Sequence, residues 1–150
     1  MTLSTDLNSP IIPGRSAAGL NLGISLDDVN PVALQSLNWS KESHIINDKQ
    51  THWDEYSSPD LYLRFIDGVL STIGVMGKYQ GKIMQGLGIG DKVDLFEHVF
   101  GNLMEGDEDE LTFERVQNQL WIEVNEMENI SGNWLIEVKK RFVTGIFIII

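Results

Sequence analysis

The residue types that most often carry out chemistry are absent or scattered in this chain. Cysteine is absent, which excludes disulfides, thiolate zinc sites and a cysteine nucleophile. The three histidines, His44, His52 and His98, fall in different predicted elements and form no pair at metal-ligand spacing. No Gly-x-Ser-x-Gly motif marks a serine nucleophile, and no spacing singles out an acid and a base among the 22 acidic residues. We therefore expect a protein that is not an enzyme and that uses no metal or cofactor.

Two segments resemble ligand loops only superficially. The Gly-rich stretch 77–90 lacks the Gly-Lys-Ser/Thr ending of a phosphate loop, and it follows no parallel-strand pattern. The acidic run 107–110 lacks the glycine and the distal glutamate that an EF-hand requires in register. Neither segment predicts a nucleotide or calcium site.

The placement of acidic residues is the strongest functional signal. The net charge is −11, and the segment 105–128 alone holds nine acidic residues against one basic residue. A field of this sign repels phosphate backbones and anionic lipid and attracts basic proteins. We expect no direct nucleic-acid binding, no membrane binding, and a basic protein partner. The candidate partner-binding residues are Glu105, Asp107, Glu108, Asp109, Glu110, Glu123, Glu126 and Glu128.

Length and composition indicate one domain in a reducing compartment. The 150 residues fit a single domain over 1–150, with a polar and loosely held start over 1–10. Residues 1–13 contain no Lys or Arg and no apolar core of the length found in a signal peptide, so we expect a cytoplasmic protein. The apolar stretch 142–150 is far below the ~18 residues of a membrane span and predicts a buried strand that lies centrally in the sheet or beneath the helices.

The pattern of apolar runs and turn residues predicts an α+β domain with an antiparallel sheet of five to seven strands and two short helices. Ser25 predicts the N-cap of a first helix over about 26–37, and apolar spacing predicts a second over about 92–100. Asp67-Gly68 between two apolar runs predicts a hairpin over 61–76. The remaining strands are predicted at 43–46, 51–56, 111–116, 120–125, 133–138 and 142–150.

The segments leading into the two helices resemble each other. Leu22-Gly23-Ile24 before the first helix corresponds to Ile89-Gly90-Asp91 before the second, in both cases with a Gly after an apolar residue. Two units, each a helix followed by a meander, would form one antiparallel sheet with the helices on one face. An internal repeat is therefore predicted.

At these positions the chain resembles small bacterial immunity proteins of polymorphic toxin systems, of the kind associated with contact-dependent growth inhibition. The resemblance covers most of the chain and rests on Pro13-Gly14, Ser16, Gly19, Leu22-Gly23, Leu26, Val29, Tyr79, Gly81-Lys82, Ile89-Gly90, Val93, Phe100-Gly101, Trp121, Glu123 and Ile146-Phe147-Ile148. It implies a cytoplasmic antitoxin that binds and neutralises a cognate toxin domain. A basic, nuclease-type toxin would suit the acidic surface.

Two alternatives to an immunity protein stay open. One is a non-enzymatic small-molecule or peptide-binding module on a curved sheet, with Trp53, Tyr62, Phe65 and Trp121 lining a pocket. The other is a β-rich subunit of a larger assembly, in which the apolar end of the chain serves as an interface strand. The pattern leaves the chemistry of the toxin and the oligomeric state open.

Overall fold

A computed structural model describes residues 5–105, 110–125 and 132–150. Its strands are β1 (Ser16–Ala17), β2 (Leu20–Asn21), β3 (Asn38–Ile46), β4 (Lys49–Ser57), β5 (Leu61–Ile66), β6 (Val69–Met76), β7 (Leu103–Glu105), β8 (Leu111–Phe113), β9 (Leu120–Val124) and β10 (Val143–Ile149). Its α-helices are α1 (Pro31–Gln35), α2 (Val93–Phe100) and α3 (Trp134–Val138). Single 3-10 turns occupy Leu26–Asp28, Met84–Gly86 and Glu114–Val116.

The main sheet joins two four-stranded meanders. Its order is β3-β4-β5-β6-β10-β9-β8-β7, and every pairing is antiparallel. We call β3 to β6 the first half and β7 to β10 the second half. The predicted antiparallel sheet with few short helices, an α+β class, is confirmed, but the predicted strand count is wrong. The described residues form eight strands in this sheet and two more in a small separate sheet.

The predicted hairpin and the predicted central strand are both present. Asp67 and Gly68 adopt φ values of +50° and +80°, and the turn joins β5 to β6. Two consecutive positive φ values are what a tight hairpin turn with the twist of the strands requires. The apolar β10 lies between β6 and β9, where strands on both sides satisfy its backbone groups.

The predicted first helix over 26–37 is wrong in its extent. Ser25 does cap a turn, since its Oγ accepts a hydrogen bond from the Asp27 N–H at 3.2 Å, but that turn ends at Asp28. Pro31 disfavours helical geometry in Asn30, which is extended at ψ 119° and caps the separate helix α1. The second predicted helix is confirmed as α2.

The predicted strand over 133–138 is wrong because a capped helix forms there. The Asn133 side chain accepts from the Ile136 N–H at 3.4 Å and begins α3. Trp134 and Val138, four residues apart, then share the side that faces the core, while Ile136 is 53% exposed. The alternation of these three apolar residues matched a strand equally well. The predicted strand over 111–116 also ends early, at Phe113.

The core lies between one face of the main sheet and the layer of helices and loops. Alternate residues of the strands point into it, such as Leu63 in β5 and Ile122 in β9, both fully buried. Val93 and Phe96 of α2 and Val138 of α3 pack in the same cluster. All described α-helices therefore contribute to a single face of the sheet.

The two halves begin with the same backbone contacts. The loop that leads into each half, residues 23–26 before β3 and residues 90–93 before β7, makes three hydrogen bonds with the last strand of that half or with the residues just before that strand. In the first half these are Gly23 N to Leu70 O (2.8 Å), Leu70 N to Ile24 O (2.9 Å) and Leu26 N to Gly68 O (2.8 Å). In the second half they are Gly90 N to Val143 O (2.8 Å), Val143 N to Asp91 O (2.8 Å) and Val93 N to Arg141 O (3.1 Å).

The glycines at these two positions match as well. Gly23 and Gly90 have φ values of +90° and +92°, a region that residues with a Cβ rarely adopt. The resemblance between the two loops in the sequence therefore corresponds to the same local structure.

Candidate protein-binding face

The face of the main sheet opposite the core is the candidate functional site, and we call it the open face. In the described part of the chain the helices pack on the other side, so the open face is formed by strand side chains alone. The register of the strands places these residues on it: Trp53, Glu55, Tyr62, Arg64, Phe147, Trp121 and Glu123.

Four aromatic side chains cross the open face from β4 to β9, and we call Trp53, Tyr62, Phe147 and Trp121 the aromatic row. The rings of Trp121 and Phe147 stack at 4.9 Å with an interplanar angle of 2°. Phe147 meets Tyr62 edge-on at 6.1 Å. Aromatic pairs at these separations contribute about 0.5–1.5 kcal/mol beyond their burial, so the row is held in place.

Two glycines provide the space for the ring of Phe147. A Cβ on Gly74, which is opposite Phe147 in β6, would lie 2.4 Å from Cε1 of that ring. A Cβ on Gly145 would lie 2.9 Å from Cε2. The ring therefore lies flat on the backbone of the two central strands, which orients it toward Trp121.

Arg64 links the aromatic row to the acidic residue Glu55 of the first half. Its guanidinium Cζ lies 4.3 Å from the ring centroid of Trp53 and 5.6 Å from that of Tyr62. Its Nε donates to the Tyr62 hydroxyl at 3.0 Å and lies 3.5 Å from the Glu55 carboxylate. The ring centroid of His44, in β3, lies 4.0 Å from that of Trp53. The result is a cation held between two aromatic rings.

The surroundings of Tyr62 keep its hydroxyl neutral. Burial raises the pKa of Tyr62 to about 12; Arg64 opposes the rise and Glu55 adds to it. At neutral pH the hydroxyl is therefore an uncharged group that accepts from Arg64.

The indole N–H groups of Trp53 and Trp121 lack acceptors. Both nitrogens are shielded from solvent and have no hydrogen-bond partner in residues 5–105, 110–125 and 132–150. A buried donor without an acceptor carries a free-energy penalty of about 1–3 kcal/mol. The open face thus contains two polar groups that the described chain does not satisfy.

Three of the eight acidic residues predicted to bind a partner lie at one end of the second half. Glu105 is the last residue of β7, Glu110 immediately precedes β8, and Glu123 is exposed on β9. Because Leu111 pairs with Ile122, Glu110 and Glu123 reach the same end of adjacent strands. The other predicted residues, Asp107, Glu108, Asp109, Glu126 and Glu128, lie outside the described residues.

The sequence did not point to Phe147 or Arg64 as site residues. Phe147 was hidden in an apolar run, and the only signal for Arg64 was a lone basic residue in an alternating strand. Trp53, Tyr62 and Trp121, predicted to line a pocket, do share one face. Phe65 was wrongly grouped with them, because odd-numbered residues of β5 face the core and Phe65 is fully buried there.

Other regions of the described structure are weaker candidates for a functional site than the open face. Within the described residues, no group of three or more His, Asp or Glu side chains is placed to hold a metal ion. The Gly-rich stretch borders a cavity of about 260 Å³ lined by Lys78, Tyr79 and Lys82 among others. It follows an antiparallel strand and contains a single 3-10 turn, unlike a phosphate loop. No helix in the described ranges is long and apolar enough to span a membrane.

Comparison with known proteins identifies a similar fold. The crystal structure of the uncharacterized protein yfeY from Escherichia coli superimposes with a TM-score of 0.54 and 18% sequence identity. The match covers 98% of this chain and 99% of that chain. No known family's sequence profile matches, and no curated protein sequence matches. The similarity shows the fold and carries no information on activity.

Proposed function

We propose that this chain is a non-enzymatic, cytoplasmic immunity protein that binds a basic toxin domain through the open face of its sheet. The observation that carries the proposal is the aromatic row, whose rings are held in place on a face that no described helix covers. Tyr and Trp anchors of this kind dominate the free energy of protein–protein association. The toxin itself is inferred from the sequence resemblance.

Charge supports a basic partner over an acidic one. The chain carries −11 overall, and Glu55 and Glu123 lie on the open face at opposite ends of the aromatic row. Glu110 lies at the same end of the adjacent strands β8 and β9 as Glu123, and both residues belong to the acidic segment 105–128. We expect these carboxylates to steer a basic domain toward the face and to pair with it at the rim.

The two indole donors support a polar component in recognition. An acceptor such as a backbone carbonyl of the partner, brought close by a small movement of the rings, would satisfy Trp53 or Trp121. Binding would then combine apolar anchors with hydrogen bonds that the free protein lacks.

The test begins with the gene next to the one encoding this chain, which the proposal expects to encode a large secreted protein with a variable C-terminal domain. That domain is purified and its affinity for this chain is measured by calorimetry. Trp121→Ala is expected to weaken binding at least ~30-fold, as for an interface anchor. Trp39→Ala is the matched control, because Trp39 is 57% exposed and pairs with Tyr56 on the other side of β3 and β4.

One further measurement separates the contribution of the open face from that of the acidic segment. Reversing Asp107, Glu108 and Asp109 to Lys should slow association, more at low salt than at physiological salt, where the screening length is about 8 Å. Circular dichroism must show that each variant is folded. Equal losses for Trp121→Ala and Trp39→Ala, or tight binding by both, would place the interface elsewhere and refute the proposal.

A further inference from the structure

The two edges of the main sheet differ in a way that points to a second interaction surface. The edge strand β7 has three residues, and short edge strands resist pairing with other chains. The edge strand β3 has nine residues, pairs with β4 without a register shift, and contains no proline. Bulges, prolines, short length and charged side chains are the usual protections of an edge, and of these β3 has the charges of Lys41 and Glu42 but no bulge, no proline and no short length.

The strand β3 also extends beyond the body of the sheet. All its residues except His44 are exposed, and β4 pairs with β5 only over Trp53–Ser57. The end of the β3–β4 hairpin is therefore a two-stranded ribbon, and no described strand pairs with the outer edge of β3. Ile45 and Ile46 in this ribbon are 80% and 46% exposed.

We propose that β3 pairs antiparallel with β3 of a second copy of this chain, about a two-fold axis that passes beside Ser43. This interface lies at the edge of the sheet, next to the aromatic row because His44 contacts Trp53, and its formation does not depend on the proposed function. Each copy's row of unpaired backbone N–H and C=O groups would satisfy the other's, as in any antiparallel pair.

Side-chain chemistry selects this register. Within one copy, Oε2 of Glu42 lies 3.0 Å from Nε2 of His44. With the axis at Ser43, Glu42 of each copy also lies directly opposite His44 of the second copy, so each carboxylate has an imidazole next to it in both strands. Lys41 lies opposite Ile45, so its apolar stem covers the most exposed isoleucine. Moving the axis by one residue to Glu42 would place two glutamates directly opposite each other, which is destabilising.

The net charge makes the association dependent on salt. Two chains of −11 each repel, and the repulsion is screened as ionic strength rises. We expect the dimer fraction at a given concentration to increase from low to physiological salt, the opposite of the trend for a basic partner.

The experiment measures the mass of the purified full-length chain by sedimentation equilibrium over a range of concentrations and salt. The parent chain is expected to approach twice its own mass. Ile45→Lys places two lysine pairs across the interface and should raise the dimer dissociation constant about tenfold. Ile136→Lys is the matched control, because Ile136 is also an exposed isoleucine, at 53%, but lies on α3.

A cysteine test fixes the register. The chain contains no cysteine, so Ser43→Cys introduces a unique thiol. Residues directly opposite in a sheet have Cα atoms about 4.5–5.5 Å apart, within reach of a disulfide. Ser43→Cys should therefore form a covalent dimer under mild oxidation, and Gln50→Cys on β4 should not.

Three results would overturn the proposal. The first is a chain that stays monomeric at its highest soluble concentration in physiological salt. The second is a dimer that Ile45→Lys and Ile136→Lys affect equally. The third is a monomer whose Ser43→Cys thiol becomes protected only on addition of the toxin domain, which would assign the edge to that partner. Ile45→Lys is expected to fold, since the side chain it replaces is 80% exposed.

Discussion

The two halves of the main sheet share their backbone contacts and differ in the chemistry of the open face. Tyr62 in the first half and Trp121 in the second occupy corresponding positions, since their partners Gly74 and Phe147 are opposite each other at the centre of the sheet. Two residues further along, Arg64 corresponds to Glu123. Backbone hydrogen bonds and buried residues define the halves, so exposed positions are free to carry opposite charges.

The largest effect is expected where the halves are most alike, in the core. Leu63 and Ile122 are both fully buried at corresponding positions. Leu63→Ala and Ile122→Ala should each lower the free energy of unfolding by about 2–5 kcal/mol through lost burial and the cavity left behind. Urea denaturation followed by fluorescence and circular dichroism should show one transition in both variants. A separate early transition in either variant would show that the halves unfold independently.

The next largest effect on stability is expected at the centre of the sheet, where Gly74 of the first half lies opposite Phe147 of the second half. Gly74→Ala would place a Cβ 2.4 Å from the ring of Phe147 and should destabilise the fold by about 1–3 kcal/mol, through overpacking. In a Phe147→Ala background the same substitution should have little effect. The free energies of the double-mutant cycle test this coupling. Additive effects would mean that the ring does not rest on Gly74.

The glycines before the two first helical turns should respond equally. Gly23 and Gly90 have similar φ values, and a Cβ at either position would meet no atom within 4 Å. Alanine at each should therefore lower stability by ~1–2 kcal/mol through backbone strain alone. Asparagine, which tolerates positive φ, should cost less than alanine. Thermal melts of the four variants check this, and a loss confined to one half would show that the loops are not equivalent.

The smallest expected effect on stability comes from the phenol of Tyr62 in the first half, which corresponds to the indole of Trp121 in the second half. This effect is absent at neutral pH. Burial raises the pKa of Tyr62 to about 12, from 10.0, so the folded protein holds its proton longer than the unfolded chain. Below pH 10 both states are protonated and the group contributes nothing. Between pH 10 and about 12, stability should fall as pH rises.

Tyr62→Phe is the control for that dependence. It should remove the last phenol to ionise in an ultraviolet titration and flatten the fall of stability over the same pH range. The other two tyrosines, Tyr56 and Tyr79, also have raised pKa values and remain in the variant. An unchanged final ionisation step in Tyr62→Phe would show that another tyrosine is the most shielded.

Local signals in the sequence were sufficient where one residue's conformation decides the structure. Asp67-Gly68 specified its hairpin because a tight two-residue turn requires positive φ at both positions, and Asp-Gly is a preferred pair for such a turn. The spacing of apolar residues specified α2, whose Val93 and Phe96 are buried. The same reasoning failed for 133–138, because three alternating apolar residues fit a strand and a short helix alike, and the Asn133 cap decides between them.

Composition and short-range patterns were enough to predict the class of the fold, the charge and the similarity of the two loops. Which side chains contact each other depends on the tertiary structure. Phe147, Tyr62 and Trp121 lie on three different strands, and their contact depends on β10 entering the sheet between β6 and β9. No local pattern encodes that placement, since it follows from pairing strands distant in sequence. The open face is therefore a product of topology: the sequence indicated Trp53, Tyr62 and Trp121 as pocket residues, and the strand order places Phe147 between Tyr62 and Trp121.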